Sequence, residues 1–137
     1  MSIANTAKKL ILEGEIDFAA ANELKIALYQ SSASLSAATE DYTTSGEATG
    51  TGYAAGGKTV PNVAVVGGTG EASAYITSDS IQWTGVTIAN YRYALLYKAS
   101  TNKAIGYVDL GGNQAVTNGT IELQTGDDAA SSLFSFT

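Results

Sequence analysis

Apolar positions in residues 1–14 recur at helical spacing, with Ile3, Ala7, Leu10 and Ile11 on one face. Asn5 or Thr6 can cap such a helix, Lys8 and Lys9 would point to solvent, and Gly14 suits a left-handed stop. The helix is expected to close one end of a sheet or barrel, or to dock as an arm on a neighbour. From Leu24 to Tyr29 the period drops to two. Leu24, Ile26 and Leu28 share one face and Lys25, Ala27 and Tyr29 the other, which predicts a strand with one wet side.

Residues 31–57 break the pattern. They are rich in Ser, Ala, Thr and Gly and hold no sustained apolar period. A run of roughly 25 such residues is long for a loop inside a domain. It is expected to be disordered or ordered by contact with something else, and Glu40, Asp41 and Glu47 make it acidic. Removing residues 32–56 is expected to leave a folded domain.

Strand patterns then follow one another. Val60 to Val66 is apolar, but Pro61 marks it as an edge or an irregular entry. Gly67, Gly68 and Gly70 signal a turn. Ala72, Ala74 and Ile76 alternate with Ser73, Tyr75 and Thr77, and Ile81 and Trp83 with Gln82 and Thr84. Tyr91 to Lys98 is the strongest strand: Tyr91, Tyr93, Leu95 and Tyr97 face one way, and Arg92, Ala94, Leu96 and Lys98 the other. A turn at Ser100 to Asn102 joins it to Ala104 to Leu110 as a hairpin. Gly111 and Gly112 signal a further turn. Ile121 and Leu123 mark the next strand, and Leu133 to Phe136 the last. The pattern predicts one mostly β domain over residues 1–137. Its expected form is an antiparallel sandwich or barrel of six to eight short strands with a short N-terminal helix.

Composition supports this. An apolar fraction of 45% argues against general disorder, and Gly, Tyr and Thr in abundance with a single Pro suit strands joined by turns. The net charge of −6 and seven scattered basic residues oppose nucleic-acid and anionic-membrane partners. With neither Cys nor His, the chain lacks a thiolate nucleophile and the commonest general base, so an enzyme is not expected. No apolar run approaches the ~20 residues of a membrane span. No signal-peptide pattern is read at the N-terminus, so synthesis in the cytoplasm is expected.

Few motifs bear on chemistry. Gly52 to Thr59 fits a phosphate loop, with Gly-Lys-Thr at the required spacing. Polar residues precede it, however, and Val60-Pro61 oppose the helix that must follow, so a tight glycine turn is expected and no nucleotide cofactor. Asp109 is the best available magnesium partner. The pairs Glu40-Asp41 and Asp127-Asp128 read as solvated loop charge rather than calcium ligands, and Asn118-Gly119-Thr120 as a turn. No metal site is expected. Tyr91, Tyr93 and Tyr97 read as core packing or as an interface strip.

Several segments resemble small structural proteins of tailed bacteriophages. These are Ala4-Asn5-Thr6-Ala7-Lys8-Lys9 running into Leu10-Ile11-Leu12, then Ile16-Asp17-Phe18 and Leu24 to Leu28. The most specific is Gly50 to Thr59, with its Gly-Tyr-x-x-Gly-Gly-Lys turn. Trp83-Thr84, Arg92 to Tyr97, Ile105 to Asp109 and a C-terminal strand complete the order. Where similar proteins tend to carry Asp before the first strand, this chain has Asn22.

The resemblance implies a non-enzymatic virion protein of the capsid decoration, or cement, type. Such a protein would be made in the host cytoplasm, sit on the capsid exterior, and bind and stabilise the major capsid protein shell. It could also self-associate as a trimer or dimer. Candidate partner contacts are Glu40, Asp41, Tyr42, Glu47 and Tyr53 in the long segment, with Lys8 and Lys9 on the helix. Rival readings are a tail or head-fibre attachment component and a carbohydrate-binding β domain built on Trp83 and the tyrosine strip.

Overall fold

The structure is a computed structural model and describes residues 1–68, 70, 72–124 and the backbone of 134–136. In chain order its elements are β1 (Ser2–Ile3), α1 (Asn5–Leu12), β2 (Leu24–Tyr29), β3 (Gly50–Thr51), β4 (Lys58–Thr59), β5 (Ala64–Val66), β6 (Ala74–Thr77), β7 (Ile81–Lys98), β8 (Ala104–Leu123) and β9 (Phe134–Phe136). The expected class holds: the chain is mostly β, antiparallel, with one short helix. A six-stranded sheet runs β1-β8-β7-β2-β4, with β3 on β7, and a three-stranded sheet runs β5-β6-β9. One apolar core contains Ile76 of the small sheet together with Ile81, Trp83 and Ile121 of the large one.

The helix is shorter than expected. Met1 to Ala4 runs extended against β8, pairing Ser2 with Tyr107 and Ile3 with Gly106, and the Ala4 amide donates to the Ile105 carbonyl. The cap position falls on Ala4, which makes no side-chain cap bond, so neither Asn5 nor Thr6 caps α1. Gly14 does stop it. At φ +73 it lets the Glu15 amide reach back to the Leu10 carbonyl. Ala7 faces the core and Lys8 and Lys9 face solvent.

β7 and β8 are much longer than the short strands expected. Gly111-Gly112 and Asn118-Gly119 do not turn the chain; they lie inside β8 as bulges. The ladder passes from Tyr93↔Asp109 to Tyr91↔Gln114 and from Ile88↔Val116 to Val86↔Gly119. Gly111 (φ 90) and Asn118 (φ 44) take the left-handed backbone that such bulges use. These bulges bend the outer edge of β8 and blunt it as a template for further strands. Asn22 is also left-handed, at φ 60, a conformation Asn tolerates better than most side chains.

β2 has no wet side: every residue except the half-buried Lys25 is buried. Residues 31–57 provide the second cover, as an ordered strap across the Ala27 and Tyr29 face. The strap is hydrogen-bonded into the domain along its length. The Asn5 amide donates to Ala37, Ala104 to Glu40, Tyr42 to Asn102, Gln30 to Gly46 and Ala48 to Leu28. Its return brings β4 beside β2 so closely that a Cβ on Gly57 would lie 1.8 Å from the Ile26 carbonyl oxygen. Gly57 also has φ +67.

The strap is therefore part of the core, contrary to the expectation that residues 32–56 are dispensable. Their deletion is expected to abolish cooperative thermal unfolding and the near-UV dichroism of the tyrosines. Gly57→Ala combines left-handed strain with a backbone clash and is expected to cost at least ~2 kcal/mol in urea denaturation.

Candidate functional site

A carboxylate holds the strap. Glu47 is 4% exposed. Its Oε2 accepts a hydrogen bond from the Tyr42 hydroxyl at 2.7 Å, and its Oε1 accepts from the Tyr53 hydroxyl at 2.8 Å and the Gly56 amide at 2.8 Å. No cation forms an ion pair with it among the described residues. Burying a carboxylate is tolerable when donors meet both of its oxygens, and here three do, two on Oε1 and one on Oε2.

The donors are themselves fixed by the large sheet. The Tyr53 hydroxyl accepts the Leu28 amide at 2.8 Å, and the Tyr53 ring lies 6.0 Å from that of Trp83. Tyr42 stacks on Tyr97 with ring centroids 4.6 Å apart and planes at 14°. The Tyr97 hydroxyl donates to the Gly56 carbonyl at 2.7 Å, and the Tyr29 hydroxyl donates to the Thr43 carbonyl at 2.5 Å. Glu47 thus joins strap residues to two strands of one sheet.

Burial raises the pKa of these phenols and so opposes their ionisation. Tyr29 is pushed up to about 12, chiefly by desolvation, with the charges of Glu47 and Tyr97 adding to it. Tyr42 and Tyr53 are raised further, first by desolvation and also by donating to Glu47. Tyr97 moves the same way, by burial and then Glu47.

Of the candidate contacts, Tyr42, Glu47 and Tyr53 meet in this cage. Glu47 lies inside the domain and cannot touch a partner directly. Asp41 is at the rim, ion-paired to Lys103 at 2.7 Å. Glu40 is exposed, its carbonyl holding the Ala104 amide. Lys8 and Lys9 sit outside the cage on α1, against Asn5 at 3.3 Å and Glu13 at 3.5 Å. Tyr29 and Gly56 belong to the site and were not among the candidate contacts, and Tyr97, read as core packing or as part of an interface strip, belongs to it from the core side. A clue was present: Tyr42 and Tyr53 are large aromatics in a segment made mostly of small residues, and such rings seek burial.

The other motifs resolve as well. After Gly57 comes the strand β4 and not a helix, and the Lys58 Nζ donates to the Gln82 carbonyl at 2.6 Å. Asp109 makes a bidentate pair with Arg92 at 2.9 and 2.8 Å. Trp83 is 2% exposed, so it offers no platform to a sugar, and the carbohydrate reading loses its anchor. In the tyrosine strip, Tyr97 is core and Tyr93 lies half-buried under the Arg92 guanidinium. Asp127 and Asp128 fall outside the described residues. Among the described residues, no helix is long and apolar enough to cross a membrane. No protein-family model matches the chain, and no curated protein or solved structure matches it either.

Glu47→Gln turns an amide donor toward donors already in place and is expected to cost about 2 kcal/mol or more of stability. The phenols predict alkaline lability. Their folded ionisation lies above the ordinary ~10, so the unfolded chain loses these protons first. The stability they contribute is complete below pH ~10 and falls as pH rises toward the Tyr29 value of about 12. Tyrosinate absorbance should therefore show the cage tyrosines titrating together with unfolding, whereas independent titration near pH 10 in the folded protein would contradict their burial.

Proposed function

We propose that the chain is a non-enzymatic virion structural protein, of the type that decorates a capsid and cements its major capsid protein shell. The observation that carries this reading is the cage. Glu47 and its tyrosines turn their polar groups inward, and this holds the strap as a rigid outward face. That face has an open hollow of about 540 Å³ bounded by Ser32, Ser34, Leu35, Thr39 and Asp41. A preformed surface loses little conformational entropy on docking, which suits repeated attachment to a fixed lattice. The phage-like order of segments, with the Gly52 to Lys58 turn closing the strap, supports the same reading. The capsid exterior as location and self-association as a dimer or trimer belong to this proposal.

Purified protein mixed with capsids that lack it is expected to co-sediment saturably and to prolong shell survival under heat or low salt. Protein that stays in the supernatant with capsids, while sedimenting with tails, would move the assignment to a tail component.

A further inference from the structure

The cations of this acidic chain are almost all committed. Lys9, Arg92, Lys98 and Lys103 form ion pairs, and Lys8 and Lys58 donate to oxygen acceptors. Lys25 differs. It is half-buried near the start of β2, yet among the described residues its ammonium has no hydrogen-bond or ion-pair partner. It stands between Thr59 of β4 and Tyr97 of β7, its direct cross-strand neighbours. Its Nζ reaches the Gly56 turn, where an added Cβ would meet it at 3.4 Å. The exposed Thr59 hydroxyl beside it is uncommitted as well. A half-buried lysine whose ammonium has no partner in the chain, next to a free hydroxyl, forms a donor pair open to an anion.

The turn itself indicates which anion. In a phosphate loop the amides face the ligand. Here the Gly56 amide is spent on Glu47 and the Gly57 amide on the Ala54 carbonyl. The Glu47 carboxylate behind the turn and the net charge of −6 also oppose a multiply charged group. Lys25 and Thr59 together match a singly charged carboxylate.

We propose that Lys25, assisted by the Thr59 hydroxyl, is the docking point for an acidic side chain of the partner protein. This rests on the virion reading for the partner's identity, but not for the site's chemistry. Two measurements on the full chain separate these. The first follows lysine ammonium and Thr59 signals by NMR during titration with sodium acetate, and separately with inorganic phosphate. Saturable shifts confined to Lys25 and Thr59 with acetate, lost in Lys25→Met, are expected. Shifts shared by all lysines, or a response to phosphate alone, would overturn the proposal. The second compares Lys25→Met with the unaltered protein in capsid co-sedimentation. Affinity about tenfold lower or weaker still is expected, together with reduced salt dependence. Equal affinity would overturn the docking role. Failure of the unaltered protein to bind capsids would sink the virion reading and leave the acetate titration to decide the site.

Discussion

The buried Glu47 carboxylate is the constraint on which the rest of the structure depends. A strap of Ser, Ala, Thr and Gly has too little apolar surface to offset the entropy of ordering it. Three hydrogen bonds to one carboxylate, backed by tyrosine rings that pack on Tyr97 and Trp83, supply what the apolar content lacks. Once the strap is seated, the Ala27 and Tyr29 face of β2 is covered, β4 can pair beside β2, and the α1 N-terminus gains the Ala37 carbonyl. The cost is a carboxylate whose donors must all be present together, since a half-satisfied buried polar group destabilises more than an apolar replacement.

The legible parts of this fold were those governed by local period. Tyr91 to Lys98 reads as a strand because its alternation is uninterrupted, and it lies within β7. Leu24 to Tyr29 reads correctly as a strand but incorrectly as half wet, because its second cover comes from a segment with no period of its own. Gly111-Gly112 and Asn118-Gly119 carry turn chemistry, but a left-handed residue serves a bulge as well as a turn. Only the ladder partner, here β7, decides between them. Pro61 was informative: it falls between β4 and β5, each at the edge of its sheet.

The candidate site was half legible for a similar reason. Polar residues in a loop suggest contact with a partner, and Tyr42, Glu47 and Tyr53 do act together. Their partners are Gly56 of the same strap and, brought near by pairings that join distant sequence, Leu28 and Tyr97. Sequence spacing does not reveal that kind of closure. An outward-facing role for the strap remains compatible with it, because a surface held rigid from behind is better prepared to dock than a mobile one.

The central claim is that the cage seats the strap as part of the cooperative unit, and native-state hydrogen exchange tests it most directly. The Gly56 amide, donated to Glu47, and the Leu28 amide, donated to the Tyr53 hydroxyl, report on the two sides of the cage. The account predicts that both exchange only through global unfolding, with the same free energy as the amides of β7. Exchange at Gly56 through a smaller opening, while β7 stays protected, would show that the strap lifts independently and that Glu47 does not lock it.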